Sequence, residues 1–149
     1  MSDLVSQRIK RRAHACHPVG ICTLTYQGRF LRRKMLWTDA GLAFLVDLEH
    51  TESLNHGDAF ILTDGTMIEV LTAQERLIEI RGDDLVRIAW HIGNRHTPCQ
   101  IEPSRLLIQP DHVIEALMVK IGASVMKVVE PFIPEGGAYG HGRTHSHAH

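Results

Sequence analysis

The sequence predicts an α+β protein in which an all-β half comes first and a half that mixes strands with helices follows. Between Gly20 and Leu71, short runs of aliphatic, aromatic and β-branched residues alternate with turn residues. After Thr72, apolar residues recur at helical spacing in two separate stretches. With 149 residues, 44% of them hydrophobic, the chain can bury one good core or two small ones.

The first half contains five runs that favour β-strands. Turn residues such as Gln27-Gly28 and Asp64-Gly65 separate them, because such residues accept positive φ or bond their own backbone. The runs lie at residues 21–26, 35–37, 42–46, 59–62 and 67–71. We therefore expect residues 1–73 to form an N-terminal all-β domain, arranged as a sandwich or as a partial barrel.

The second half begins with a strand at residues 77–80, which a helix is expected to follow. Asp83 or Asp84 can cap this helix. Its apolar stripe has i, i+3, i+4, i+7 spacing and consists of Leu85, Ile88, Ala89 and Ile92. Gly93 and Asn94 are expected to end the helix, because both tolerate the left-handed conformation found at helix C-termini.

Two further strands and a second helix continue this half. The strands, at residues 100–102 and 106–108, flank a turn at Pro103-Ser104. Asp111 is the expected N-cap of the second helix, which Gly122 stops. Its apolar stripe consists of Ile114, Leu117, Met118 and Ile121. A closing strand at 125–129 completes the order β-α-β-β-α-β, the ferredoxin-like unit, within residues 74–134.

The composition argues against several classes of protein. Sixteen basic and seventeen acidic residues give a net charge of −1, so no global field attracts nucleic acid. No apolar run approaches the length of a membrane helix, and residues 1–20 lack the apolar stretch of a secretory signal. We therefore expect a cytoplasmic protein without membrane contacts. The cysteines have no Cys-x-x-Cys spacing and are expected to be reduced; they are Cys16, Cys22 and Cys99.

A histidine-rich tail is the most informative feature of the chain. Residues 135–149 are rich in glycine and histidine with little to bury, so we expect a flexible, disordered segment. Its interleaved imidazoles can curl round one ion, because neutral imidazole is a common ligand of nickel, zinc and copper. An expression tag is the alternative, but tags are usually unbroken hexahistidine. The expected tail ligands are His141, His145, His147 and His149.

Two histidines outside the tail are also candidate metal ligands. His96 lies in the loop after the first helix, where Pro98 restricts the preceding residue to an extended conformation, so its ring should project from the loop. His112 follows the Asp111 cap, where the helix dipole opposes a cation and favours the neutral, metal-binding ring. For each of them, an ordinary surface histidine is the alternative.

Other histidines and cysteines are weaker candidates. His91 flanks the first helical stripe and is expected to pack, whereas His14, Cys16 and His17 form a minor possible cluster without a second ligand pair nearby. A single constrained histidine supplies one of the four to six ligands that an ion needs. We therefore expect two protomers to meet about a two-fold axis near His96, with the two tails completing the shell.

Several segments resemble the urease accessory nickel metallochaperone family. They are Trp90-His91-Ile92-Gly93-Asn94-Arg95-His96-Thr97-Pro98, Asp111-His112-Val113, residues 131–140 and the histidine tail, within a match over about residues 20–149. The resemblance implies a homodimer of paired ferredoxin-like domains, with nickel held between two copies of His96. It also implies an N-terminal domain of the peptide-binding type. Delivery to apo-urease through a complex with a GTP-hydrolysing accessory protein is implied as well.

The chain departs from that family at two points. Residues 109–110 are Gln-Pro, where some members place a histidine two residues before the one matching His112, so an auxiliary site around His112 is expected to be weaker. Cys99 is a thiol where an apolar residue is expected, and a contact between this thiol and metal is left open. Zn(II) and Cu(II) compete well for imidazole, so the choice of Ni(II) rests on the resemblance.

The leading interpretation is a non-enzymatic metal carrier. A metal-dependent hydrolase needs a closed three-ligand site and a general base, and the chain has no His-Glu-x-x-His sequence. A metal storage protein is a further alternative, although an open shell favours capture and release. An RNA-binding module is disfavoured because strands 77–80 and 106–108 carry no aromatic residues for base stacking.

Overall fold

The chain divides into two compact units, residues 1–73 and 74–149. The computed structural model describes residues 4–12 and 17–136. Each unit has its own hydrophobic core, and the two α-helices described both belong to the second unit. The architecture is therefore mixed α+β, as the change of period after Thr72 predicts. Within the described ranges, no helix is long and apolar enough to cross a membrane.

Six strands form one mixed sheet in the N-terminal unit. They are β1 (Val5–Lys10), β2 (Gly20–Leu24), β3 (Phe30–Trp37), β4 (Ala43–Ser53), β5 (Ala59–Leu62) and β6 (Met67–Thr72). The strand order is β2-β6-β5-β1-β4-β3, with β1 parallel to β4 and β2 parallel to β6. Apolar side chains of these strands form the core with Leu54; they are Cys22, Leu31, Leu36, Phe44, Val46, Leu48, Phe60, Leu62, Ile68 and Val70.

Asp39 closes this sheet towards a partial barrel. Its backbone N–H donates to the carbonyl of Ile21 at 2.7 Å, although β2 and β3 are the two outer strands of the sheet. Its carboxylate accepts hydrogen bonds from the N–H and the hydroxyl of Thr23, at 3.0 and 2.6 Å. The turn after β3 is thus fastened to β2. Of the two arrangements predicted for this half, the single sheet with joined edges corresponds to the partial barrel.

All five predicted strands of the first half are present, and β1 is an additional strand that the sequence analysis missed. The segment Val5–Lys10 has two aliphatic residues four positions apart, so it shows no clear alternation. Tertiary pairing nevertheless places it between β4 and β5. β3 and β4 are also longer than predicted, since Arg33 and Lys34 pair with β4 through their backbone despite their charged side chains.

The C-terminal unit follows the predicted β-α-β-β-α-β order. Its elements are β7 (Gln74–Arg81), α1 (Leu85–Asn94), β8 (Gln100–Ile101), β9 (Leu106–Ile108), α2 (His112–Lys120) and β10 (Ser124–Pro131). The strand order is β10-β7-β9-β8, and every neighbouring pair is antiparallel. This is the ferredoxin-like arrangement. The helices and the sheet share one core, formed by Ile78, Ile80, Ile88, Ile92, Leu106, Ile108, Ile114, Met118 and Ala123.

Aspartates cap both helices, as predicted. Asp84 is the cap of α1, and its carboxylate accepts from the N–H of Arg87 at 3.2 Å. Asp111 caps α2 by accepting from the N–H of Val113 at 2.9 Å. In return, the Glu115 carboxylate accepts from the N–H of Asp111 at 3.1 Å. This reciprocal bonding satisfies N–H groups that the first helical turn leaves without partners.

The end of α1 differs from the prediction. Gly93 and Asn94 were expected to adopt the left-handed conformation, but both belong to the helix. His96 adopts it instead, with a φ of 58°. At the end of α2, Gly122 has a φ of 89°, as expected. The helix-ending conformation thus falls on a candidate metal ligand and not on the glycine.

A cation joins segments on both sides of β7. The Arg105 guanidinium is 18% exposed and donates to Glu102 at 2.9 Å and to Glu130 at 2.6 and 2.7 Å. It also lies 3.8 Å from a carboxylate oxygen of Glu79. Hydrogen bonding to Arg105 lowers the pKa of Glu130. The network ties the turn between β8 and β9 to β10 and so steadies the sheet that positions the histidines.

Candidate metal site

Both candidate histidines outside the tail lie at one end of the C-terminal sheet. The antiparallel registers place the beginnings of β7 and β8 at the end where β9 and β10 finish. The loop with His96 leads into β8, and His112 is the first residue of α2, which follows β9. We call this region the histidine end. The fold therefore brings to one end two histidines that are distant in the sequence.

His96 is fixed in a defined helix-ending turn. Its N–H donates to the carbonyl of Gly93 at 3.0 Å, and the N–H of Thr97 donates to the carbonyl of Ile92 at 3.4 Å. These two bonds define a Schellman motif, in which His96 is the first residue after the Arg95 C-cap. An L-residue in the left-handed conformation costs about 1 kcal/mol relative to glycine. The turn leaves His96 exposed at the protein surface.

The helix dipoles distinguish His96 from His112. His96 follows the C-terminus of α1, which carries partial negative charge, whereas His112 lies at the N-terminus of α2, which carries partial positive charge. Each helix end contributes about 0.3–1 kcal/mol to the energy of a nearby unit charge. The fold therefore favours a bound cation beside His96 and disfavours one beside His112.

Cys99 has a packing role in this structure. Its half-buried side chain packs against the core that the helices share with the sheet. Burial and the nearby Glu135 carboxylate raise the pKa of the Cys99 thiol to about 12. The thiolate is the form that binds metal, and this thiol stays protonated at neutral pH. The environment therefore does not prepare Cys99 as a ligand.

The remaining candidates are placed as follows. His91 is half buried in α1, and the centroid of its ring lies 5.2 Å from that of Trp90 in an edge-on arrangement. His17 is exposed and has a φ of 49°. Six candidates fall outside the residues that the structure describes: His14, Cys16, His141, His145, His147 and His149.

A short segment that follows β10 is fastened beside the His96 loop. We call residues 132–135 the strap. Phe132 is fully buried, the N–H of Ile133 donates to Oε1 of Gln100 at 2.9 Å, and the N–H of Glu135 donates to the carbonyl of Cys99 at 2.9 Å. The sequence analysis missed the strap, because a bond from a backbone N–H to a distant glutamine has no sequence signature. The tail therefore begins next to the loop that carries His96.

The described part of a single chain does not assemble a complete metal cluster. Within residues 4–12 and 17–136, no group of three or more His, Cys, Asp or Glu side chains could hold an ion. A transition metal takes four or more ligands in most protein sites. Tight binding therefore needs ligands beyond these ranges of one chain.

One face of α1 exposes large apolar side chains next to the histidine end. Val86 is 85% exposed and Trp90 is 63% exposed. Together with Gly93, they are spaced i, i+4, i+7 and share the side of α1 opposite the buried Ile88 and Ile92. A Cβ atom added to Gly93 would meet no atom within 4 Å. We call Val86, Trp90 and Gly93 the outer face of α1.

The fold and the site define a two-unit protein, with a β unit followed by a ferredoxin-like unit that displays exposed histidines at one end. Residues 5–73 match the family model of the N-terminal domain of the UreE urease accessory protein. Residues 75–149 match the model of its C-terminal domain. The chain belongs to the UreE urease accessory protein family.

Individual relatives support the same assignment over nearly the whole chain. A protein of Ruegeria pomeroyi is 62% identical over 141 residues, which cover 95% of each chain. A protein of Ruegeria sp. is 54% identical over 95% of this chain and 81% of its own length. One of Paracoccus denitrificans is 51% identical over 93% of this chain and 88% of its own length. Each of the three is named urease accessory protein UreE.

Proposed function

We propose that this protein is a nickel metallochaperone that binds Ni(II) and delivers it to apo-urease while the urease active site is assembled. Membership of the urease accessory family supports the role in urease maturation. The observation that carries the metal proposal is the conformation of His96, an exposed imidazole in the left-handed region. Backbone strain of about 1 kcal/mol that persists at an exposed, metal-binding side chain is typical of a functional site.

The proposed carrier is a homodimer whose outer faces of α1 pack against each other. Val86 and Trp90 expose more apolar surface than a solvated helix needs, and Gly93 leaves room for a second backbone to approach. A two-fold interface joins the same patch on both subunits. Because His96 follows Gly93 within one turn, such an interface brings two His96 rings together and doubles the ligand that one chain supplies.

The tails supply the remaining ligands in this proposal. Gly136 follows the strap, and His141 is five residues further along the chain, so its Cα lies within about 18 Å of that of Gly136 even when fully extended. Two His96 rings and tail imidazoles from both chains provide the nitrogen ligands that Ni(II) prefers, which Zn(II) and Cu(II) also accept. The candidate tail ligands are His141, His145, His147 and His149, and His112 forms a weaker additional site.

Nickel is cargo in this proposal, and the protein is not an enzyme. A carrier needs a shell that ligands can enter and leave, and one exposed imidazole per chain at the core of the site suits that need better than a closed cage. The helix dipole at His96 favours the cation without adding a further covalent ligand. The alternatives of a hydrolase and a storage protein predict substrate turnover and many equivalent ions, respectively.

The N-terminal unit is proposed to contact protein partners in the cytoplasm, as a domain of the peptide-binding type. Its exposed apolar residues cluster around the closure that Asp39 makes, and such patches mark protein contacts. They are Val19, Ile21, Met35, Trp37 and Leu42. The proposed partners are the urease apoprotein and the accessory GTPase complex, and neither nucleic acid nor membrane has a role.

Calorimetric titration with Ni(II), together with mass determination in solution, tests the proposal. The intact chain should bind one ion per dimer tightly and further ions more weakly. His96→Ala should abolish the tight site, because one substitution removes two ligands from the shared ion, while weak binding by the tail remains. His112→Ala should reduce only the weaker sites.

His56→Ala is the matched control, since His56 is an exposed histidine of the N-terminal unit. It should leave both the stoichiometry and the affinity unchanged. Retention of the one-per-dimer site in His96→Ala, or its loss in His112→Ala, contradicts the shared-ligand model. Activation of apo-urease at limiting nickel should fall with His96→Ala and not with His56→Ala.

A further inference from the structure

The strap connects the two outer strands of the C-terminal sheet. It follows β10 at one edge of the strand order, and its hydrogen-bond partners are Gln100 of β8, at the other edge, and the adjoining Cys99. Ile133 and Glu135 bond to these neighbouring residues, and Phe132 is fully buried before them. Three separate interactions within four residues therefore fix the path of the chain after β10.

Gln100 is held in a single orientation by bonds at both ends of its amide. Its Oε1 accepts from the N–H of Ile133 at 2.9 Å, and its Nε2 donates to Glu102 at 2.8 Å. Glu102 is held in turn by Arg105. The amide therefore cannot turn away from the strap without losing both bonds. The last link in this series is a side chain that lies four residues after His96.

We propose that Gln100 is a positioning residue that holds the origin of the histidine tail beside the His96 loop. This inference rests on the proposed nickel-binding function and adds a role for the strap to it. Gln100 does not bind the metal. It keeps the segment leading to the tail imidazoles fastened to the residues that follow His96, so that tail and loop can act on the same ion.

The size of the effect follows from tether length. With the strap fastened, six residues separate Glu135 from His141; with the strap released, ten residues separate Pro131 from His141. Effective concentration falls roughly as the −3/2 power of the length of a polypeptide tether, so release lowers it about twofold. The lost anchor point lowers it further, and a two- to fourfold weaker nickel affinity is expected.

The test combines Gln100→Ala with a second change, the replacement of His141, His145, His147 and His149 by alanine in the full-length chain. Amide hydrogen exchange at Ile133 and Glu135 should become at least tenfold faster in Gln100→Ala. Nickel affinity should weaken two- to fourfold in Gln100→Ala when the tail histidines are present. In the tail-substituted background, Gln100→Ala should leave the remaining affinity unchanged.

Gln7→Ala, the same substitution at an exposed position of β1, is the control and should change neither quantity. Unchanged exchange at Ile133 and Glu135 in Gln100→Ala overturns the inference, because the strap would then not depend on Gln100. An equal loss of affinity in both backgrounds also overturns it, because Gln100 would then act on the loop alone. Failure of the unaltered protein to bind nickel contradicts the proposed function instead, while the exchange result would still report on the strap.

Discussion

His96 and Gly122 occupy the same position in two equivalent helix endings. In each case the residue has a positive φ, 58° for His96 and 89° for Gly122, and donates its N–H to the carbonyl three residues earlier. In each case the next residue donates to a carbonyl five residues before itself. Only the side chain differs. The unit therefore contains its own reference for what a glycine does at the position of His96.

This equivalence predicts that His96→Gly separates stability from metal binding. Glycine adopts the left-handed conformation without the Cβ penalty, so His96→Gly should be about 1 kcal/mol more stable than His96→Ala. Both variants should lose the tight nickel site equally. Gly122→Ala is the matched change in the opposite direction and should destabilise by about 1 kcal/mol. Urea unfolding measures all three, and equal midpoints for His96→Gly and His96→Ala would show that the turn imposes no strain.

Removal of the tail should reduce the number of bound ions and leave the fold intact. A chain that ends at Gly140 lacks four histidines but keeps every element that the structure describes. We expect fewer ions, an unchanged dimer and a retained tight site of lower affinity. Calorimetry and solution mass measure these quantities. If the shortened chain binds no nickel, the tail is the primary site and His96 is not.

The outer face of α1 should control self-association. Trp90→Ser removes the largest exposed apolar side chain of this face and should shift the dimer towards monomer. Gly93→Ala should have two opposing effects, because alanine is favoured over glycine by about 1 kcal/mol within a helix while its Cβ would obstruct a closely packed partner. Sedimentation measures association and thermal unfolding measures stability.

Val119→Ser is the control for these variants, since Val119 is 60% exposed on the other helix. It should leave the dimer unchanged. An undiminished dimer in both Trp90→Ser and Gly93→Ala would place the interface elsewhere.

Arg105 should contribute to stability in a pH-dependent way. Arg105→Met leaves the carboxylates of Glu79, Glu102 and Glu130 without their shared cation and should cost about 2 kcal/mol at pH 7. Arg105 lowers the pKa of Glu130, so its stabilisation is present above the ordinary carboxyl pKa and is lost as pH falls through the lowered value. The difference between Arg105→Met and the unaltered protein should therefore shrink towards acidic pH. Urea unfolding from pH 7 to pH 4 measures it, and a constant difference would exclude this electrostatic origin.

Alkaline pH should destabilise the protein through its buried thiols. Burial raises the pKa of Cys99 to about 12 and that of Cys22 to about 11, from an ordinary value of 9.0. Between the unfolded and folded values, the unfolded chain releases protons that the folded chain retains, so stability falls as pH rises above about 9. Each thiol contributes up to about 1.4 kcal/mol per pH unit. Cys99→Ala should have a shallower slope between pH 9 and pH 10.5, and an identical slope would show that this thiol does not titrate abnormally.

The sequence by itself determined the secondary structure of the second half and the candidate ligands. Asp111 and Gly122 bracket α2 by local backbone chemistry, and the apolar stripes of both helices select the faces that become buried. Such features depend on neighbouring residues, so they can be read along the chain. The candidate status of His96 likewise came from its loop and from a resemblance that the family match supports.

Tertiary structure decided the features that depend on distant partners. β1 is a strand because β4 and β5 satisfy its backbone bonds, although its own side chains show no alternation. His96 takes the left-handed position because α1 continues through Gly93, where packing of Ile88 and Ile92 carries the helix one turn further than glycine propensity alone predicts. The strap depends on Gln100, whose partner Ile133 lies far along the chain. Local chemistry thus set what each segment can form, and long-range hydrogen bonds and burial selected which of those possibilities the protein adopts.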